Sequence, residues 1–377
     1  MSKLNVIPCN AKQIKQVLKM NYELDIPVFI AGPPGIGKTD VVTQFAAEVG
    51  AKMPRPIIVS GYQPEDLFGV PIPNRETGYL DYFQLKVLPP SESKEKWVLF
   101  FDELSNADRR IQAPLQQFFL HKQLGDYVAP KNCYLIAAGN TTDDACYAYE
   151  LSRALNDRFC IIELRPDIDS WIEWALAEGV HPDIIAFLKT KPEYLHYELM
   201  TDKHKDVEDN RVLPTPRAWG KYVDKYLKTK GYSRTIKEIS ISGVVGHQIA
   251  SIFFKVVDEL KETPSPQEVI EAARKNKNKL KNLVPRTAVG LWGLSFSLLT
   301  YCKEITQYEG LALYLEYLTD LENTSLPIQE VVSFTTERAL QNCRKQKLDR
   351  NKIVQIFRNL VLKWQTNLKE LMHELQN

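Results

Sequence analysis

The decapeptide AGPPGIGKTD, residues 31–40, sets Gly32, Gly35, Gly37, Lys38 and Thr39 in the pattern GxxxxGK[ST]. Residue types at that spacing suit the binding of a triphosphate. Backbone N–H groups at a helix N-terminus cradle phosphate oxygens, and glycine lets the backbone turn and approach closely enough. Pro33 and Pro34 have no N–H to contribute, which leaves Gly35, Ile36, Gly37, Lys38 and Thr39 to build the anion nest. Lys38 is expected to neutralise the β and γ phosphates, and the Thr39 hydroxyl to hold Mg2+. An ordinary glycine-rich turn is the alternative. Against it stand the apolar strand VFIA in front and the helical spacing of Val41, Val42, Phe45, Ala46 and Val49 behind.

A second chemical cluster follows in WVLFFDEL, where four apolar residues lead into Asp102 and Glu103. Two acids at the carboxyl end of a buried strand are costly without a cation or a proton-transfer task. Asp102 fits a magnesium anchor acting through water, and Glu103 a group that orients and polarises the attacking water. An acidic strand-to-helix cap is the alternative. The run CYLIAAGN ends in Asn140, whose amide could reach the γ-phosphate or the lytic water, although asparagine after a strand is also a common turn residue. LSRALNDRFC places Arg153 and Arg158 just ahead of the apolar Ile161, Ile162 and Leu164. Arg158 either serves a reaction centre or forms a salt bridge to Asp157 or Glu163.

These residues need elements to hold them. Up to about residue 165, the short apolar runs VFIA (28–31), PIIVS (56–60), WVLFF (97–101), CYLIAA (133–138) and CIIEL (160–164) alternate with helix-period segments. Continuous apolar runs mark strands covered on both faces, hence a parallel five-stranded sheet wrapped by helices. From Asp167 onward helical patterns take over, broken by loops such as 202–216 and 262–266. The expected plan is an α/β nucleotide-binding domain over 1–165 with an insert near 61–90. An all-helical lid over 166–265 and a C-terminal helical bundle over 266–377 follow.

Bulk properties exclude more than they assign. The chain has 48 basic and 47 acidic residues, with 18 against 19 up to residue 165, so bulk charge argues for neither nucleic acid nor membrane. Cys9, Cys133, Cys146, Cys160, Cys302 and Cys343 form no CxxC pair and no regular framework, which points to a reduced, cytoplasmic protein. The run AVGLWGLSFSLLTYC (288–302) is shorter than the roughly 20 residues a membrane helix needs, and is expected to be a buried bundle helix.

Taken together, GPPGIGKT, LFFDE, Asn140 and the arginine of Asp157-Arg158-Phe159 resemble the Walker A, Walker B, sensor 1 and arginine-finger elements of the AAA+ ATPases. Within that superfamily the chain looks most like the MoxR group, through DELSNADRRIQAPLQQFFLHKQL, ALNDRF and the sensor 2-like PTPRAW at 214–219. The group usually has an Asn-Arg pair after the Walker B acids; here Ser105 and Asn106 stand there. The resemblance covers about residues 10–230. It implies ATP and Mg2+ as ligands, a homo-oligomeric and commonly hexameric ring, and chaperone-like remodelling of a protein client. A partner with a von Willebrand factor A domain is a further implication. It also implies that Arg217 is sensor 2 and that Arg158 is an arginine finger acting in trans, with Arg153 as second candidate.

In MoxR-like proteins the region of 61–90 carries an insert facing the ring pore, so Tyr62, Phe68, Tyr79, Tyr82 and Phe83 either grip a client or pack a hairpin onto the sheet. Val354, Phe357, Val361, Trp364, Leu368, Leu371 and Leu375 share one helix seam, suited to the bundle's own core or to a partner contact. The basic run RKNKNKLK (274–281) is a solvated face or a phosphate-following surface. The competing functional class is a nucleic-acid-associated AAA+ motor or loader, which the neutral charge of both halves disfavours.

Overall fold

The computed structural model describes residues 5–63, 66–67, 69–83, 85–140, 151–200, 212–321 and 325–363. The chain folds as two compact units, Met1–Ser170 with Thr215–Arg217, and Trp171–Pro214 with Ala218–Asn377. The segments expected as lid and as C-terminal bundle both fall in the second unit, apart from Thr215–Arg217 and the first few residues of the lid segment.

In the first unit the elements run β1 (Pro8–Cys9), α1 (Ala11–Leu24), β2 (Val28–Ala31), α2 (Lys38–Glu48), β3 (Ile57–Ile58), β4 (Val70–Pro73) and β5 (Leu80–Phe83). They continue with β6 (Trp97–Asp102), α3 (Arg109–His121), β7 (Gln123–Leu124), β8 (Tyr127–Val128), β9 (Cys133–Gly139), α4 (Arg153–Asn156) and β10 (Cys160–Leu164). The main sheet is parallel, in the order β1-β10-β2-β9-β6-β3.

All five expected strands are present, and β1 makes a sixth, pairing Pro8 with Glu163 and Cys9 with Leu164. Two residues carry no periodicity, and proline is tolerated there because the strand lies at the sheet edge. The run 56–60 is also shorter as a strand than expected: only Ile57–Ile58 pairs, and Val59–Gly61 tightens into a 3-10 turn.

The unbroken apolar runs reflect two covered faces. Val28, Ile30, Val98, Phe100, Ile136 and Ala138 pack under Ile14 and Leu18 of α1 and Val42 and Phe45 of α2. Alternate residues Phe29, Ala31, Leu99, Phe101, Leu135 and Ala137 meet Ile111, Leu115, Phe118 and Phe119 of α3. Strand side chains alternate between faces, so every position in the central strands must be apolar.

β4 and β5 form a separate antiparallel hairpin with Val70 opposite Phe83 and Pro73 opposite Leu80. Its turn is closed by the Asn74 side chain, which accepts from the N–H groups of Glu76 at 3.0 Å and Thr77 at 3.2 Å. Tyr79 is 77% and Tyr82 36% exposed on this hairpin. Tyr62 instead packs half-buried against the sheet core. Phe68 and the side chain of Phe83 lie outside the described residues.

The second unit is helical among the described residues, with helices at Pro182–Thr190, Arg234–Val245, His247–Leu260, Pro266–Lys275, Ala288–Tyr301, Ile305–Thr319, Ile328–Lys345 and Arg350–Lys363. Trp219, the last residue of PTPRAW, is fully buried among Phe187 and Phe253, and its indole N–H donates to the carbonyl of Tyr194 at 2.8 Å. Helix Ala288–Tyr301 is buried over most of its length, as expected. No helix of the described residues is long and apolar enough to cross a membrane. In the last described helix Ile353, Phe357, Leu360 and Val361 are buried, while Trp364, Leu368, Leu371 and Leu375 lie outside the described residues. The basic residues Arg274, Lys275, Lys277, Lys279 and Lys281 are exposed. They sit at the C-terminal end of helix Pro266–Lys275 and in the 3-10 turn after it, where cations suit the helix dipole.

Candidate nucleotide-binding site

Three adjacent strands, β2, β9 and β6, deliver the chemical residues from their carboxyl ends. After β2 the chain turns through Gly35 at φ +76° and Gly37 at φ +104°, values in the left-handed region that side-chain-bearing residues rarely adopt. α2 then starts at Lys38. The Lys38 side chain folds back beneath the loop and is 8% exposed. Its ammonium donates to the carbonyls of Gly32 at 2.6 Å and Pro33 at 3.1 Å, and to Asn140 Oδ1 at 3.0 Å. A buried cation beside a helix N-terminus suits an anion.

The Thr39 hydroxyl lies 3.0 Å from Asp102 Oδ2, bridging α2 and β6. A hydroxyl and a carboxylate oxygen in that arrangement are hard donors of the kind Mg2+ takes, directly or through water. The donor chemistry of Thr39 and Asp102 therefore fits such an ion. Asp102 Oδ1 also accepts from the N–H of Glu103 at 2.9 Å. Glu103 itself has φ +59°, an uncommon conformation for a non-glycine residue.

Two residues of this cluster were not singled out from the sequence. Ser60, in the turn after β3, donates its hydroxyl to Glu103 Oε2 at 2.5 Å. The only sequence signal for it is a serine ending an apolar run, and the contact depends on β3 pairing with β6, Ile58 beside Asp102. Ser105 is buried, and its hydroxyl accepts from the N–H of Asn140 at 3.0 Å. Ser105 thus holds the residue whose amide meets Lys38. The neighbouring Gly139 is required for this packing, because a Cβ there would stand 2.5 Å from Ser105 Oγ and 2.8 Å from Phe29 Cζ. Gly139→Ala is expected to destabilise the protein by about 1–3 kcal/mol through overpacking, measured by urea unfolding. An unchanged midpoint would show that Ser105 moves aside freely.

The three arginines are placed differently. The backbone N–H of Arg217 donates to the carbonyl of Gly35 at 3.1 Å, within the first unit, while its side chain is exposed. Thr215 fills the space over Gly35, where a Cβ would come within 2.9 Å of it. Arg158 does not join the Lys38, Thr39, Asp102, Asn140 cluster. Its Nη1 donates to the carbonyl of Ala154 in its own turn, and its Nε is buried without a partner among the described residues. The alternative of a salt bridge to Glu163 is not realised, since Glu163 pairs with Arg165 at 2.5 Å, and Asp157 forms no ion pair with Arg158 among the described residues. Phe159 fixes the position next door, with ring centroids 4.6 Å from Phe119 and 5.8 Å from Phe29. Arg153 is exposed at the start of α4.

A family model agrees with the loop chemistry. Residues 27–159 match the profile of the AAA domain (dynein-related subfamily). Among solved structures, the chain is similar to a candidate ATPase from Cytophaga hutchinsonii, at 14% identity over 93% of this chain and 90% of that one, with a TM-score of 0.34. It is also similar to the RuvB Holliday junction branch migration motor of Thermotoga maritima, at 17% identity over 76% and 80% of the two chains, with a TM-score of 0.35. The matched segment opens just before β2 and closes at Phe159, spanning the glycine-rich loop, the acidic strand end and Arg158. The match of residues 27–159 to an AAA domain, over the segment that carries the glycine-rich loop and the acidic strand end, supports ATP hydrolysis as the reaction.

Proposed function

We propose that the protein is an Mg2+-dependent ATPase of the MoxR-like kind, which works as a homo-oligomeric ring and remodels a protein client or complex. The observation that carries the catalytic part is the convergence of Lys38 with Asn140 and of Thr39 with Asp102 at the carboxyl ends of adjacent strands. In this reading Gly32 through Thr39 wrap the triphosphate and Lys38 meets its β and γ phosphates. Thr39 and Asp102 would hold the ion, Asp102 through water, and the ion would supply charge neutralisation for transfer of the γ-phosphoryl group to water with ADP as leaving group. Glu103 orients the lytic water once its carboxylate exchanges the Ser60 hydroxyl for that water. Asn140 and Arg217 contact the γ-phosphate from their own subunit, as sensors 1 and 2.

The ring is supported by Arg158. A half-buried guanidinium with no carboxylate ion pair among the described residues keeps its charge available for an anion supplied from outside its own subunit. The MoxR-like assignment is supported by the hairpin β4–β5, with exposed Tyr79 and Tyr82, and by Thr215 and Arg217 against Gly35 of the glycine-rich loop. A partner with a von Willebrand factor A domain and a cytoplasmic location belong to the same proposal.

The test measures turnover and mass together. ATP hydrolysis is expected to stop when EDTA removes Mg2+, and native mass spectrometry with ATP is expected to find species several times the 43.3 kDa chain mass. Full turnover from a monomer would overturn the ring. Strong, salt-dependent stimulation by DNA or RNA would favour the motor or loader class over the protein remodeller.

A further inference from the structure

α3 carries a glutamine in the middle of an apolar face. Gln112 is 1% exposed, next to Ile111 and Leu115, which pack on the sheet. Burying a side-chain amide is unfavourable unless its donor and acceptor are both met. Here both are met, and only one orientation of the amide does so. Nε2 donates to the carbonyl of Ala107 at 3.1 Å, and Oε1 accepts from the N–H of Ser152 at 3.3 Å. One turn further along, Gln116 Nε2 donates to the Ser152 hydroxyl at 2.9 Å. That hydroxyl also caps α4 by accepting from the N–H of Leu155 at 3.2 Å.

The two ends of Gln112 belong to different chemical parts of the unit. Ala107 closes the tight turn behind Glu103, where the N–H of Asn106 donates to the carbonyl of Glu103 at 2.9 Å and that of Ala107 to Leu104 at 3.2 Å. Ser152 opens the helical turn that ends at Arg158, whose N–H donates to the carbonyl of Leu155 at 3.0 Å and whose guanidinium bonds Ala154 in the same turn. A side chain needed only for volume would be leucine or methionine here, without the constraint of satisfying two backbone groups.

We propose that Gln112 is a positioning residue: it ties the arginine-bearing turn to the turn behind Glu103, with Gln116 as a second strut, and so sets where Arg158 is presented. The proposal rests on the trans role of Arg158 argued above. Its consequence is that the acidic turn of one subunit and the arginine that subunit offers to its neighbour's triphosphate move as one piece.

The test asks on which subunit the residue matters. Arg158→Ala subunits, which keep Glu103, are mixed with Glu103→Gln subunits, which keep Arg158, and the recovered ATP turnover is the reference. Gln112→Met preserves side-chain length while removing both hydrogen-bonding atoms. On the Glu103→Gln subunits, which supply the arginine, it is expected to cut recovery by roughly 10- to 100-fold, the scale of a displacement near 1 Å. On the Arg158→Ala subunits, which only receive an arginine, recovery is expected to stay within about twofold of the reference. Equal loss in both placements, or none in either, would overturn the proposal. No recovery in the reference mixture is a separate result, and it would remove the trans role and the proposal together. If circular dichroism shows that Gln112→Met does not fold, the half-buried Gln116→Ala carries the same comparison, with a smaller loss expected only on the arginine-supplying subunits.

Discussion

Glu103→Gln is expected to lower ATP turnover by about 10²- to 10⁴-fold, the range associated with losing a positioned proton acceptor, while nucleotide binding persists. The substitution isolates charge from shape. Glutamine keeps the length of the side chain and an oxygen that can accept from the Ser60 hydroxyl, now 2.5 Å from Glu103 Oε2, so the left-handed turn at residue 103 has no new reason to rearrange. The contacts of Lys38 with Gly32, Pro33 and Asn140 do not involve Glu103, and neither does the Thr39–Asp102 contact. The loss should therefore fall on kcat, with KM and the affinity for a fluorescent ATP analogue changed little. Single-turnover hydrolysis under excess enzyme checks the chemical step directly. If Glu103→Gln turned over at the parent rate, Glu103 would be a strand-to-turn cap and not a catalytic residue.

What was legible in the chain follows the range of each interaction. The loop between β2 and α2 could be read residue by residue, because its determinants are local: an apolar strand, glycines at positive φ, then a helix starting at Lys38. Asp102 and Glu103 were legible for the same reason, as acids ending a buried strand. Ser60 and Ser105 were not, since each acts through a strand-end juxtaposition, β3 beside β6 and β9 beside β6, that no local pattern encodes. β1 escaped because a two-residue edge strand has no period to detect. Among the aromatics of the insert, composition alone could not separate Tyr62, which packs against the core, from Tyr79, which stands in solvent; only the hairpin register does so. Arg158 was legible as a residue type in a suggestive place, and its candidate partners Asp157 and Glu163 were equally plausible by proximity in sequence. The structure decides against Glu163 through Arg165, which occupies that carboxylate.

Arg158→Ala carries the largest expected effect, a loss of roughly 10³- to 10⁵-fold in turnover if it stabilises the transition state from a neighbouring subunit. The structural cost of the change is small by comparison. Arg158 is half-buried with no carboxylate partner among the described residues, and it gives up a bond to a carbonyl in its own exposed turn. Phe159, which anchors the segment against Phe29 and Phe119, is untouched. Binding of ATP should survive, because none of the residues around Lys38 depends on Arg158 for a hydrogen bond among the described residues. Folding and binding are thus separated from turnover, and the remaining question is whose triphosphate the arginine serves. Mixing Arg158→Ala with Glu103→Gln answers it: each population is inactive alone, and their shared interfaces pair an intact Glu103 with an intact Arg158. Recovery of hydrolysis on mixing is the expected result, rising with the fraction of mixed neighbours and vanishing when the same two substitutions are placed on one chain. An arginine acting within its own subunit predicts no recovery at any ratio, and that outcome would place Arg158 in the cis site and leave the ring without its catalytic justification.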